Sequence, residues 1–333
     1  MAYIIAEAGV NHNGRLDLAM KLCDAAKIAG VDAVKFQTWK TEKIVTRNTR
    51  MAEYQQTNTG QDETSSQYDM LKALELSYND FQTLRNYCQE IGIDFLSTPD
   101  EEESLDFLVR LGIKTLKISS GEITNIPYLR KIASYNLPVI LSTGMATLAE
   151  VAAAYDTLLQ AGAPSVSLLH CTTNYPCPYN EVNLRAMHTL RQAFHCQVGY
   201  SDHTMGIEVP IAAVAMGATI IEKHFTLDKG MAGPDHQASL EPHELTAMVQ
   251  AIRHIETALG DGIKRPNDSE KAISRVVLKS IVAAVPISKG ETLIPEKLTV
   301  KRVGQGISAS YWDIVIGTTA NRDYSIDDPI EIS

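Results

Sequence analysis

Two tripeptides, Ser201-Asp202-His203 and Glu222-Lys223-His224, each close an apolar run, at 197–200 and 218–221. Residues i and i+2 of a strand share a face, so Ser201 points with His203 and Glu222 with His224. Adjacent parallel strands lie about 4.8 Å apart. Two strand-end imidazoles at that spacing can hold one metal ion, with water or substrate completing its shell. Either histidine alone reads as a strand-end ring bonded to its neighbours, whereas the repeated spacing favours a metal or catalytic site.

The elements that must position these residues are written along the chain as one recurring theme: a short apolar run, a polar knot, then a stretch with 3.6-residue periodicity. It occurs eight times within residues 1–260, with strand endings near 6, 34–37, 95–96, 116–118, 139–141, 168–170, 198–200 and 220–221. Helical patterns follow at 16–28, 102–111, 126–133, 148–159, 184–193, 207–216 and 242–259, with one more at 71–88. Strict alternation implies a parallel sheet, and eight repeats imply a closed (β/α)8 barrel, with a doubly wound open sheet as the alternative. The long polar stretch 41–70 is expected to cross the barrel mouth. Residues 261–277 contain Gly, Pro, Asn and Asp and suit a linker, and 278–333 alternate short apolar pieces with turns, as a small module would. A module of about 60 residues has a marginal core, so it is expected to lean on a partner surface.

In such a barrel the C-terminal strand ends form the active face. Glu7 follows strand 1, just before Asn11-His12-Asn13-Gly14. Lys35 and Gln37 share a face of strand 2, Thr98 ends strand 3, and Lys117 and Ser120 end strand 4. Ser142 ends strand 5, and strand 6 leads from His170 to Tyr175. Two lysines around one cavity call for an anion or for carboxylates, because a buried unpaired ammonium costs several kcal/mol. With the hydroxyls of Thr98, Ser120, Ser142 and Ser201 they suit a phosphate carrying a carboxylate. Taken singly, each lysine could be salt-bridged to Glu7 or Glu122 for architecture, Ser142-Thr143-Gly144 could be a turn, and Asp202 could cap a helix or steady a histidine ring. Cys171 reads as a packing residue. Cations, hydroxyls and histidines gathered at one end of the strands weigh against separate structural roles.

The formal charge of −10 argues against general nucleic-acid binding, which relies on basic surfaces. The 44% hydrophobic and 21% charged composition is that of a folded globular chain. Five cysteines without a CxxC pair suggest reduced thiols and a cytoplasmic setting. No run reaches membrane-spanning length, and no export signal is expected.

The strings Ile5-Ala6-Glu7-Ala8-Gly9-Val10-Asn11-His12-Asn13-Gly14, Val34-Lys35-Phe36-Gln37-Thr38, Lys117-Ile118-Ser119-Ser120-Gly121-Glu122, Ser142-Thr143-Gly144-Met145, Ser201-Asp202-His203-Thr204, Glu222-Lys223-His224-Phe225-Thr226 and Gly233-Pro234-Asp235-His236 resemble the bacterial sialic acid synthases. The tail, through Ile287-Ser288-Lys289-Gly290-Glu291 and Lys301-Arg302-Val303-Gly304-Gln305-Gly306-Ile307-Ser308, resembles that family's antifreeze-like (SAF) domain. The resemblance implies condensation of phosphoenolpyruvate with an open-chain N-acetylmannosamine-type sugar, giving a nine-carbon 2-keto acid and phosphate. It implies a divalent ion, manganese or magnesium, on His203 and His224, and phosphoenolpyruvate on Lys35, Thr98, Lys117, Ser120, Ser142, Thr173 and Ser201. It implies that Glu222 assists the attacking water, and that Glu7, Gln37, Tyr175 and Asp235 meet the sugar. Arg302 is implied to reach the site of the other subunit in a homodimer that exchanges its tails.

Three positions depart from the family's pattern: Asp100, where Phe is common and where an inward side chain would add charge near the anion; Thr173 for Asn; and Val303 for Pro. The expected sugar is N-acetylmannosamine. Alternatives are the 2,4-diacetamido-2,4,6-trideoxymannose that leads to legionaminic acid and N-acetylmannosamine 6-phosphate. More remote are a Schiff-base aldolase using Lys35 or Lys117 and an inert barrel carrying an ice- or glycan-binding tail.

Overall fold

A computed structural model describes residues 1–51, 56, 59 and 66–332. The chain divides into two compact units, Met1–Gly260 and Asp261–Ser333. In the first, eight parallel strands run β1 (Tyr3–Gly9), β2 (Ala33–Thr38), β3 (Asp94–Pro99), β4 (Leu116–Ile118), β5 (Val139–Ser142), β6 (Val166–His170), β7 (Val198–Asp202) and β8 (Ile220–His224). Their hydrogen-bonded order is β3-β2-β1-β8-β7-β6-β5-β4, and β3 lies alongside β4, which closes the barrel. Each strand neighbours its sequence neighbours, so the open-sheet alternative is excluded.

The two-residue period of a strand stacks the interior in layers. Ile5, Ala33, Leu96, Ile140, Leu169 and Ile220 form an apolar plug inside the barrel. On β7 the matching position is Gly199, where an added Cβ would press on Leu169 Cδ2 at 2.7 Å, because the plug already fills that space. Two residues further along the same strands stand Glu7, Lys35, Thr98, Ser142, Cys171 and Glu222, so the plug is the floor of the polar site. The outward positions, among them Ile4, Ala6, Val34, Phe36, Leu141, Leu168, Tyr200 and Ile221, pack against the surrounding helices in one large core. Among the described residues no helix is long and apolar enough to cross a membrane.

Two elements differ from the sequence reading. The helix expected over 71–88 is two helices, Gln67–Leu74 and Tyr78–Ile91. Ser77 breaks the periodicity by forming a capping box with Asp80: each residue's side chain bonds the other's backbone N–H. The expected linker likewise carries a helix, Asp268–Val277, started by the same device between Asn267 and Glu270. Of the polar stretch expected over the barrel mouth, residues 52–55, 57–58 and 60–65 lie outside the described residues. The second unit pairs β9 (Ser280–Ala283) with β10 (Leu298–Lys301) in antiparallel fashion. Its own core includes Ile281, Leu293, Leu298, Val315, Tyr324 and Ile330.

Candidate active site

The C-terminal strand ends of the barrel surround a cavity of about 460 Å³. Its lining includes Glu7, Lys35, Gln37, Thr98, Lys117, Ser120, Ser142, Thr173, Tyr175, Ser201, His203, Glu222 and His224, one or more from every strand or its following loop. Register accounts for the gathering: Glu7 is the Cα partner of Lys35 on one side and of His224 on the other, Gln37 pairs with Thr98, and Ser201 pairs with Glu222.

Both ammonium groups are buried against Glu222. Lys117 lies 3.4 Å from its Oε1 and Lys35 3.7 Å from its Oε2, while Ser201 Oγ donates to Oε1 at 2.9 Å. Burial alone would raise the Glu222 pKa, but Lys117 and then Lys35 outweigh it and hold the carboxyl down at about 2. Glu7 meets a different balance. Lys35 lies 2.8 Å from its Oε2 and Gln37 Nε2 donates to Oε1 at 3.1 Å, yet burial and the nearby Glu222 charge push it up to about 7. Two carboxyl groups in one cavity are thus driven apart, Glu222 toward the base and Glu7 toward the acid. Lys117 also donates to Ser142 Oγ at 2.8 Å and Lys35 to Thr98 Oγ1 at 3.1 Å, so each cation is aimed through a hydroxyl into the same space. On the far wall Gly144 N donates to Ser120 Oγ at 2.9 Å. An added Cβ at Gly144 would stand 2.8 Å from Ser120 Oγ and 3.0 Å from Cys171 Sγ, and would strike Thr173 Oγ1.

His203 and His224 stand edge-on with ring centroids 5.5 Å apart, and Tyr175 lies tilted against the first at 4.1 Å and meets the edge of the second at 5.5 Å. Burial lowers both pKa values, that of His224 strongly, so both rings are neutral near pH 7. His203 Nδ1 lies 2.6 Å from the Thr172 carbonyl, which makes it the protonated nitrogen and leaves Nε2 with a free lone pair. His224 Nδ1 is buried without a hydrogen-bond partner. Neutral, oriented imidazoles suit a divalent ion. Among the described residues no group of three His, Cys, Asp or Glu could hold one, so two histidines would be its protein ligands and oxygens of water or substrate its remainder.

Asp235 lies behind this wall, its Oδ2 4.0 Å from His224 Nδ1, with burial pushing its pKa up to about 6. Arg302 belongs to the second unit, just after β10. Asp100 lines a neighbouring cavity with Lys43 and Glu122 rather than the main one, yet it lies close enough for its charge to act on Lys35, so it adds negative charge beside the anion site. Cys171 does reach the cavity, 3.2 Å from Ser120 Oγ, but burial raises its pKa and keeps it a thiol. Its neighbour His170 is engaged by the Val182 carbonyl at 2.8 Å and is no base for it. Gln67 and Met145 also line the cavity and were not singled out from sequence as site residues. Met145 was legible, since it ends the Ser-Thr-Gly-Met string. Gln67 had no signal beyond its place at the end of the polar stretch after β2.

A closed barrel whose mouth sets two lysines, two carboxyl groups and a histidine pair around one cavity has the lining of a site for a small anionic molecule. The chain belongs to the NeuB family, which its residues 22–264 match, and residues 279–333 match the SAF domain. The family is that of the sialic-acid-type synthases indicated by the sequence motifs. The chain is 51% identical over 327 residues to N,N'-diacetyllegionaminic acid synthase of Legionella pneumophila, covering 97% of this chain and 91% of that protein. It is 50% identical over 329 residues to the N,N'-diacetyllegionaminic acid synthase of Campylobacter jejuni, covering 98% of each. Among solved structures, the citrate complex of N-acetylneuraminic acid synthetase from Leptospira borgpetersenii superposes with a TM-score of 0.71 at 36% identity, covering 82% of this chain and 90% of that one.

Proposed function

We propose that this protein condenses phosphoenolpyruvate with open-chain 2,4-diacetamido-2,4,6-trideoxymannose to give N,N'-diacetyllegionaminic acid and phosphate. The sugar differs from the N-acetylmannosamine expected from sequence. What carries the change is likeness over nearly the whole chain to two legionaminic acid synthases, at 51% and 50% identity. The reaction itself is supported by the cavity. Lys117, Ser120, Ser142 and Thr173 form one polar wall that suits the phosphate, and Lys35, Thr98 and Ser201 extend it toward the carboxylate. C3 of phosphoenolpyruvate bonds to the aldehyde carbon, and the aldehyde oxygen takes a proton, for which Glu7 is the available donor. Water then bonds to C2 and gives its proton to Glu222, and the C2–O bond breaks to release phosphate. General-base help of this kind is worth about 10²–10⁴-fold. A manganese or magnesium ion on His203 and His224 would polarise the aldehyde as a Lewis acid. Gln37, Tyr175 and Asp235 are assigned to the sugar, and Arg302 to the site of the second subunit in a tail-exchanged homodimer.

The deciding experiment is turnover of the diacetamido sugar, N-acetylmannosamine and N-acetylmannosamine 6-phosphate side by side. The diacetamido sugar is expected to have the highest kcat/KM by at least tenfold. A preference for N-acetylmannosamine would refute the diacetamido sugar as the substrate.

A further inference from the structure

The layer between barrel and helices is apolar on β7 and β8 at Val198, Tyr200, Ile221 and Phe225, yet the same outward faces carry Asp202 and Lys223. These two are Cα partners across the strands, and both side chains are 0% exposed. Lys223 Nζ lies 2.5 Å from Asp202 Oδ2 and also donates to the Thr204 carbonyl. Asp202 in turn accepts from Thr204 N at 3.1 Å and from Thr204 Oγ1 at 3.0 Å. One ammonium, on the residue preceding His224, therefore grips both chain neighbours of His203. Burying such an ion pair costs several kcal/mol per ion, and an apolar pair of similar volume is often as stable or more so. Stability does not explain why charge is placed there; directional bonds that bracket one histidine from the strand of the other do.

We propose that Asp202 and Lys223 are positioning residues, a clamp that sets the separation and tilt of His203 and His224 and so the alignment of the aldehyde above them. This rests on the reading of the histidine pair given under Proposed function. The test uses the full-length chain with Lys223→Met and with the double substitution Asp202→Leu, Lys223→Met, the latter leaving no buried charge unpaired. Three quantities are measured: manganese affinity by direct titration, kcat, and KM for phosphoenolpyruvate, with circular dichroism and thermal melts as the check on folding. The folded double variant is expected to bind manganese about 10- to 100-fold more weakly and to lose kcat by a similar factor. Its KM for phosphoenolpyruvate should stay within about threefold, because Lys35 and Lys117 are untouched. A folded variant with wild-type manganese affinity and kcat overturns the clamp, as does one in which KM for phosphoenolpyruvate rises as steeply as kcat falls. If wild-type protein itself binds no manganese, the metal reading fails instead, and the clamp is judged on kcat at unchanged KM. Should neither variant fold, Thr204→Val removes only the hydroxyl tie. It is expected to lower kcat about threefold to tenfold, and an unaltered kcat overturns the proposal.

Discussion

Lys117→Met is the sharpest perturbation of the site, because this ammonium serves both the proposed phosphate and Glu222. Methionine keeps most of the stem volume and deletes the charge. On the substrate side one charge-assisted contact is lost, about 1.5–3 kcal/mol or roughly 10- to 150-fold in KM for phosphoenolpyruvate. On the protein side Glu222 keeps Ser201 at 2.9 Å and Lys35 at 3.7 Å but loses the cation at 3.4 Å. At an effective dielectric of about 20, unit charges at that distance attract by about 5 kcal/mol before relaxation. Removing one partner of a buried pair costs about 3–5 kcal/mol. Lys35 remains, so the loss is set at about 3 kcal/mol, a fall of roughly 6–12 °C in melting temperature.

The sign with pH follows from Glu222. Its wild-type folded pKa, about 2, lies below the unfolded value, so its contribution is present above about 4.5 and is lost as pH falls from there to about 2. The variant lacks much of that contribution, so its deficit in melting temperature is largest near neutrality and shrinks in acid. Adding Glu222→Gln to Lys117→Met removes the stranded carboxylate and should recover most of the stability while leaving KM high and kcat low. The assays are phosphate release across a range of phosphoenolpyruvate concentrations and melts at pH 3 and pH 7. A single variant with wild-type KM, or a double variant no more stable than the single one, would refute this account of the site.

Four further outcomes are expected. In ¹⁸O-labelled water the released phosphate stays unlabelled, because water enters at carbon; label in phosphate would mean P–O cleavage. Gly144→Ala places a methyl group against Ser120, Cys171 and Thr173, and should raise KM for phosphoenolpyruvate at least tenfold with little loss of fold; an unchanged KM would remove that wall from the phosphate subsite. Asp100 has its pKa raised to about 7, chiefly by burial, so its share of stability is full below about 3.8 and declines as pH rises to about 7; Asp100→Asn should flatten the melting-temperature profile across that window and be the more stable protein at pH 8. Mixing Arg302→Ala chains with His224→Ala chains should restore about a quarter of wild-type activity, since half of randomly exchanged dimers are mixed and each has one intact site. Mixed dimers at parental activity would show that Arg302 does not act across subunits.

Much of the site was legible before any fold, for one reason: strands alternate faces. Ser201 with His203, Glu222 with His224, and Lys35 with Gln37 could each be assigned to a common side from spacing alone, and the eight apolar runs ordered the strands that carry them. The helix starts at Ser77 and Asn267 were also written locally, as capping boxes. Against the apolar periodicity of 71–88 and the Gly/Pro content around 261–277, a three-residue polar signal is weak, so neither start stands out in the chain.

What the sequence could not decide was which side chain meets which. Lys35 had equal claim to Glu7 or Glu122, and only closure of the barrel sets it against Glu7 at 2.8 Å and Glu222 at 3.7 Å. The opposite drift of Glu7 and Glu222 has the same origin: the two carboxyls are chemically alike, and their distances to two ammonium groups exist only once the barrel sets β1, β2, β4 and β8 around one cavity. Asp202 and Lys223 look in the sequence like two more polar strand-end residues, and their full burial appears only when helices cover the outer face. Periodicity is a property of a single strand and survives in the chain, whereas pairing, desolvation and the lining of a cavity are sums over neighbours far apart in sequence, which come into being only when the barrel closes.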